Sequence, residues 1–396
     1  LQEGGPLACA AQSMKLLFST RDLEIGGRPI EGFPLLIDDE CMPLQPAQNF
    51  LLHALLESGL TRSKLTWEAV GRRLYDYFAF LNANGLSWNQ TDAPVGASPL
   101  SRYRDWSAGE LKLAPRTINK RLALVVRFYE WACQRGYIAS LPFSYRRIRA
   151  HGKHGMLAHV KTGGATAERA SVLLREYRSP IKFLTNHQVQ VCRQHLNNSS
   201  HRILFELMLR SGLRSCEART FPAKYVFDPA GRKDLIAGQV IRVDLSPQDL
   251  WIKFERPRAV DVPWRLMEEL NAYKNLEREL RKNRGGGEPD TLILTAYGSE
   301  MARTSVVGLF GELSKRVGFP VTAHMLRHTY ATYTLAALRK NPSFMGEPLL
   351  YVRDRLGHSD VQTTAEYLHL INQLEAQLVL AHEDFIDGIF GLEAPV

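Results

Sequence analysis

The sequence predicts two domains, mainly α-helical with a small antiparallel sheet in the second, and three observations lead there. Its 396 residues exceed the usual size of one domain, and 45% of them are hydrophobic, enough for two separate cores. Apolar residues recur at helical spacing through much of the chain, whereas β-branched, strand-like runs gather around Val240 to Val262. Between about 148 and 180 the hydrophobic period disappears, and His151-Gly152-Lys153-His154-Gly155 and Lys161-Thr162-Gly163-Gly164 read as a flexible joint.

Taken in order, residues 1–45 form an N-terminal extension. Its first 13 residues lack any period and read as vector-derived, and the turn-like Gly26-Gly27-Arg28-Pro29 predicts an irregular or hairpin cap over the rest. Residues 46–150 form a helical domain with helices at about 46–58, 66–84 and 115–135. In the second of these Val70, Leu74, Tyr77, Phe78 and Leu81 recur at spacings of three and four; in the third Ile118, Leu122, Val125, Val126 and Tyr129 do the same. Residues 151–180 are the expected linker, and 181–396 the α+β domain with a C-terminal tail.

That second domain opens with Thr185 and Gln188 at capping-box spacing. A helix from about 200 to 210 ends at Gly212, a residue suited to a left-handed C-terminal cap. The runs Val240–Asp244, Leu250–Phe254 and Ala259–Val262 predict the sheet. A helix follows Pro263 up to Gly285-Gly286-Gly287, then helices at about 304–317, 324–339, 347–356 and 371–384.

Several function classes fall away on composition. No apolar run reaches the roughly 18 residues of a membrane span and no signal pattern opens the chain, so a soluble intracellular protein is expected. Cys9, Cys41, Cys133, Cys192 and Cys216 are scattered without a Cys-x-x-Cys pair, which argues against a disulfide framework or a structural zinc site. There is no Gly-rich phosphate loop, so nucleotide hydrolysis is unsupported.

The net charge of +9 is concentrated rather than spread. From Ser101 to Val160 twelve basic residues face three acidic ones, an excess equal to that of the whole chain. Arg102, Arg104, Arg116, Lys120, Arg121, Arg146, Arg147, Arg149 and Lys153 of this stretch are the candidate contacts to a polyanion such as DNA, because each neutralised phosphate releases counterions. A solvated basic face is the alternative reading of the same charges.

Five segments carry candidate chemistry. Arg214 lies just past a helix end with Glu217 three residues on, so the acid can hold the guanidinium fork toward a phosphate. Lys253 lies near the turn of the predicted hairpin, where it can donate a proton to a leaving oxygen. His324, Arg327 and His328 share one helix face at offsets of three and four. The two histidines mimic a zinc-binding pair, but Met325 stands where the glutamate base of a zinc protease would be, so no metal is expected. His358 follows Gly357, and Tyr367 comes nine residues later. Two arginines, a lysine, histidines and a tyrosine together suit phosphoryl transfer without metal: guanidiniums neutralise the phosphate, tyrosine attacks, and His324 is the candidate to help a phenol whose ordinary pKa is about 10.

The ordered set Arg-x-x-Glu, hairpin Lys, His-x-x-Arg-His, Leu-Gly-His and Tyr nine residues after that His resembles the tyrosine recombinase, or phage integrase, family, over roughly Pro46 to the C-terminus. The resemblance implies a two-domain DNA clamp that cleaves and rejoins double-stranded recombination sites through a 3′-phosphotyrosine, without metal or ATP, as a tetramer on DNA, in the bacterial cytoplasm and with accessory proteins as further partners. It implies catalytic roles for Arg214, Lys253, His324, Arg327, His358 and Tyr367, with Glu217 and His328 in support. Phe254-Glu255-Arg256-Pro257-Arg258 replaces the family's Gly-rich turn, so Lys233, Arg256 and Arg258 compete with Lys253 for the lysine's place, and the segment between Thr334 and Leu356 is long for the family. Leu370, Ile371, Leu374 and Leu378 head an apolar tail which the resemblance would dock on a neighbouring subunit, folding back on its own chain being the alternative. A type IB topoisomerase and a catalytically silent DNA-binding protein are the other readings.

Overall fold

A computed structural model describes residues 14–58, 63–92, 94, 96–149, 166–177, 181–358, and 364, 365, 367, 368 and 370. The chain divides into two units, Leu1–Arg178 and Ser179–Val396. Both are mainly helical with small antiparallel sheets. None of the described helices is long and apolar enough to cross a membrane.

The first unit opens with nested hairpins. Strand β1 (Lys15–Phe18) pairs with β4 (Pro34–Ile37), and β2 (Glu24–Ile25) with β3 (Arg28–Pro29). The inner turn is Gly26-Gly27, both with positive φ (61° and 72°), a conformation that costs a side-chain-bearing residue energy but not glycine. Helices α1 (Ala47–Leu52), α2 (Lys64–Ala83), α3 (Pro99–Gly109) and α4 (Pro115–Gln134) follow. Their apolar stripes meet around Phe128, whose ring packs against Phe50, Phe78 and Trp88 at centroid distances of 5.4–5.5 Å. The tyrosine hydroxyls in that core are satisfied: Tyr77 and Tyr129 share a 2.6 Å hydrogen bond, and Tyr129 also donates to the Trp88 carbonyl.

Two expectations are corrected in this unit. Residues 14–45 are part of the core rather than an added extension, since Phe33 and Leu36 are fully buried with the helices and the Gln48 amide binds the Leu36 N–H and the Pro34 carbonyl. Part of the expected linker is also ordered: β5 (Tyr145–Arg149) pairs with β6 (Thr166–Ala170), and Ala170 and Val172 are buried in the same core. The Asn119 side chain on α4 fastens this return by accepting from the Leu174 N–H and donating to its carbonyl. Helix α3 was not anticipated, because buried Ser101 and Ser107 interrupt its apolar period; Ser98 caps it and Pro99 starts it.

Gly71 on α2 permits the outer hairpin to close. A Cβ there would lie 2.4 Å from the Pro34 Cβ, which real contacts do not allow. Gly71→Ala is therefore expected to destabilise the first unit by about 1–3 kcal/mol, read as a lowered denaturant midpoint, although alanine is the better helix former.

In the second unit, α5 (Asn186–Gln194) carries the expected Thr185–Gln188 capping box. Helix α6 (Ser199–Ser211) ends at Gly212, φ 68°, where a Cβ would strike the Tyr330 ring at 2.4 Å. Then come α7 (Ser215–Arg219), β7 (Val240–Leu245) and β8 (Arg258–Pro263), the last two antiparallel from Val240↔Pro263 to Leu245↔Arg258. Strand β7 alternates, burying Ile241, Val243 and Leu245. The run Leu250–Phe254 is not a third strand: Leu250 and Ile252 are buried in the connection, but Lys253–Glu255 form a 3-10 turn. Helices α8 (Trp264–Tyr273), α9 (Glu279–Gly285), α10 (Arg303–Val317), α11 (Ala323–Lys340) and α12 (Pro348–Leu356) complete the described elements, with a π turn at Lys274–Arg278 joining α8 to α9. Helices α6 and α11 pack their apolar faces into one core with β8, through Leu204, Phe205, Met208, Val260, Val262 and Leu326. A smaller core joins Leu335, Val352, Leu356, Tyr367 and Leu370. The helix expected at 371–384 lies outside the described residues.

Candidate active site

Three turns meet at the site, and each turn is set by a local sequence signal. The first follows α6: Gly212 reverses the chain, and Arg214 becomes the residue that starts α7. Glu217 accepts the Arg214 backbone N–H at 2.7 Å and the guanidinium at 3.0 Å, so the acid three residues on holds both ends of Arg214. The second is the N-terminal part of α11, capped by Thr322, which puts His324, Arg327 and His328 on one face. The third is Leu356-Gly357-His358 at the end of α12, where Gly357 takes φ 61°.

Arginines bind these turns together. Arg327 is only 2% exposed and donates to the Gly212 carbonyl at 2.7 Å and to the Leu356 carbonyl. Arg214 donates to the Gly357 carbonyl at 3.2 Å, and its side chain retains 23% exposure. Burial, then the nearby charge of Arg214, pushes the Arg327 guanidinium down to about 9, with Glu217 opposing. Two cations this close, with Glu217 ion-paired to Arg214 and Arg258 rather than to Arg327, favour an anion placed where it can face both.

The histidines remain neutral. Burial, followed by His324 and Arg327, holds the His328 ring at about 3, and burial, followed by Arg327 and Arg214, does the same to His358. His324 is lowered too, by burial first and then by Arg327 and Arg214. The Tyr367 phenol, 2% exposed, lies 2.8 Å from His328 Nδ1. A neutral imidazole with its proton on Nε2 accepts from that phenol. His358 lies nearly parallel to the Tyr367 ring at a centroid distance of 6.4 Å, and its Nδ1 is 2.9 Å from the Thr364 hydroxyl.

Of the residues expected from sequence, the structure brings together Arg214, Glu217, His324, Arg327, His328, His358 and Tyr367. His328 makes the hydrogen bond to the phenol, and His324, the histidine expected to help it, stands edge-on to His328 at 4.2 Å between ring centroids. Both histidines share a helix face, and the one a turn further along, His328, reaches Tyr367. Lys253 lies with its side chain exposed on the connection between β7 and β8. From the same hairpin Arg258 touches the site, forking onto Glu217 at 2.8 and 2.6 Å. Sequence spacing gave no sign of this pairing.

The basic stretch of the first unit divides. Arg102, Arg116, Lys120, Arg146 and Arg147 are exposed. Arg121 is committed to Asp76 at 2.5 Å and Arg104 to Asp105 at 2.7 Å, so their charges are partly neutralised. The Arg149 side chain and all of Lys153 lie outside what the structure describes.

Comparison with known proteins gives the same assignment by an independent route. Residues 182–373 match the phage integrase family, and residues 48–136 match the phage integrase N-terminal SAM-like domain. Transposase A from transposon Tn554 of Staphylococcus aureus is 25% identical over 371 residues, covering 89% of this chain and 94% of the relative. Tyrosine recombinase XerD of Ralstonia nicotianae is 25% identical over 346 residues, covering 84% and 94%. Among solved structures, the XerH recombinase bound to palindromic difH substrate aligns with TM-score 0.54 at 15% identity, covering 85% of this chain and 88% of that one. The Tn1549 transposon integrase in complex with circular-intermediate DNA aligns with TM-score 0.54 at 17% identity, covering 79% and 92%. The fold, the ordered motifs and both family matches agree: this chain belongs to the tyrosine recombinase, or phage integrase, family.

Proposed function

We propose that this chain is a site-specific DNA recombinase that cleaves and rejoins strands through a 3′-phosphotyrosine on Tyr367, using neither metal nor nucleotide. The observation that carries the reading is a buried phenol hydrogen-bonded to a neutral imidazole at 2.8 Å, beside two arginines that favour an anion. The phenol oxygen attacks phosphorus, its proton passes to His328 Nδ1 as the negative charge of the bound phosphate makes that ring more basic than in the empty site, and the 5′ oxygen leaves with a proton from Lys253. Arg214 and Arg327 balance the charge that grows on the non-bridging oxygens, and neutral His358 donates a hydrogen bond to them. His324 completes that wall. A 5′ hydroxyl from a second strand reverses the step, which conserves bond energy and removes any need for ATP.

The named relatives, a transposase and a tyrosine recombinase, favour recombination over simple strand relaxation and over a silent DNA-binding role, and the transposon sources favour a mobile element. The partners are duplex recombination sites and further copies of this chain, assembled on DNA as a tetramer, with the tail beyond Leu370 exchanged between subunits; accessory proteins are a further class. The place of action is the bacterial cytoplasm, at the nucleoid. The domain roles follow the same reading, with residues 46–150 gripping DNA and the second unit performing the chemistry.

A nicked suicide duplex built from the inverted repeats flanking the gene tests this. Wild-type protein should become covalently attached to it in excess EDTA. Attachment that is lost in EDTA and restored by Mg²⁺ or Zn²⁺ would replace the reading with a metal-dependent one.

The first unit's role has its own test. Replacing Arg146 and Arg147 with Gln should flatten the dependence of log affinity on log salt by up to about two, seen in fluorescence titrations from low to high salt. An unchanged slope would place β5 away from the phosphates.

A further inference from the structure

We infer that Arg258 is a positioning residue that aligns the phosphate-facing turns of the site, an inference that rests on the recombinase reading above. Its side chain is 7% exposed. Both terminal nitrogens are taken up by Glu217, at 2.8 and 2.6 Å, and its Nε donates to the Arg355 carbonyl at 3.2 Å. All three kinds of donor nitrogen are thus engaged within the protein, and Arg258 acts through its neighbours rather than on DNA.

Its placement explains the arrangement around it. Glu217 is the residue that grips Arg214 by backbone and guanidinium. Arg355 and Gly357 flank Leu356, whose carbonyl receives Arg327, and the Gly357 carbonyl receives Arg214. One side chain on β8 therefore ties the turn that presents Arg214 to the turn that presents His358. The fit is close: a Cβ on Gly357 would lie 2.8 Å from the Arg258 Cδ. A second tie from the same strand reinforces the first, since Asp261 holds the Arg355 side chain at 2.5 Å and also accepts from Tyr351. Strand β8 is also the return limb of the connection that bears Lys253, so the lysine's hairpin and the two turns share one anchor.

Lysine cannot reproduce this fork. Its single ammonium keeps a charge beside Glu217 but cannot span both carboxylate oxygens and the Arg355 carbonyl in one plane. A misplacement of order 1 Å in a reacting group can cost about 100-fold in rate. Arg258→Lys should therefore bind the flanking-repeat duplex like wild type yet cleave the suicide substrate between about 10- and 100-fold more slowly.

A pH profile separates alignment from general loss of structure. Glu217 is faced by Arg214 at the start of α7, Arg258 on β8 and Arg327 on α11, with Cys216 beside it. Burial raises its carboxyl, but the Arg258 fork, then the charges of Arg258 and Arg214, hold it down to about 2. Its folded value is depressed, so its grip on Arg214 is present above that value and lost below. Wild-type cleavage should show no acidic limb from Glu217 above pH 5, whereas Arg258→Gln should gain one as the carboxyl titrates at higher pH. Adding Glu217→Gln to Arg258→Gln should abolish that limb, and this double variant removes the buried carboxylate together with its Arg258 partner should the single variant fail to fold.

Wild-type, Tyr367→Phe, Arg258→Lys, Arg258→Gln and Glu217→Gln/Arg258→Gln proteins would be compared for duplex binding, thermal melting and suicide cleavage from pH 5 to 9. Slow cleavage by folded Arg258 variants, with the limb appearing and disappearing as described, supports the inference. Wild-type rates in Arg258→Lys and Arg258→Gln, or slow cleavage with a pH profile identical to wild type, would overturn it. Wild-type protein that cleaves no better than Tyr367→Phe would instead sink the recombinase reading itself.

Discussion

Replacing Tyr367 with Phe will reduce strand cleavage by at least about 10⁴-fold while DNA binding stays at the wild-type level. The substitution removes the attacking oxygen and almost no volume. The ring packs with Leu335, Val352, Leu356 and Leu370, so the small core that holds it survives. The hydrogen bond to His328 is lost, worth about 1 kcal/mol. Denaturation should thus shift slightly and cleavage of the suicide duplex collapse. A Phe variant that still became attached to DNA would show that another residue is the nucleophile.

Arg327→Lys should have the next largest effect. The guanidinium donates in two directions, to the carbonyls of Gly212 and Leu356, while its charge is felt by that of Arg214. A lysine in this 2% exposed position cannot serve both carbonyls and an incoming phosphate. Cleavage should fall about 10²- to 10³-fold, the typical result of removing a preorganised oxyanion donor. Stability should fall by about 1–3 kcal/mol as a buried carbonyl loses its partner. Wild-type cleavage by Arg327→Lys would mean that charge alone, and not the fork, is what the site needs.

How much of this was legible in the sequence depends on the range of each interaction. The Thr185–Gln188 cap and the left-handed Gly212 were readable because both are settled within four residues. The face shared by His324, Arg327 and His328 was readable from helical spacing alone, but which histidine meets Tyr367 was not, because that contact spans 39 residues. Arg258 was hidden for the same reason: its partner Glu217 is 41 residues away, and nothing in the local sequence distinguishes it from Arg256. The run from Leu250 to Phe254 alternates like a strand, yet its buried residues fill a connection, since burial every second residue does not itself supply a pairing partner. Strand β6 was missed because Thr166–Ala170 has little apolar content; its pairing with β5 depends on backbone hydrogen bonds and on Ala170 entering the core.

The most direct test of the central claim is to map the covalent link itself. Wild-type protein trapped on the nicked duplex would be digested with protease and nuclease, and the nucleotide-bearing peptide sequenced by tandem mass spectrometry. A single peptide carrying a nucleotide through its 3′ phosphate on the Tyr367 oxygen is the predicted result. A nucleotide attached to any other side chain, or joined through its 5′ phosphate, would contradict the account.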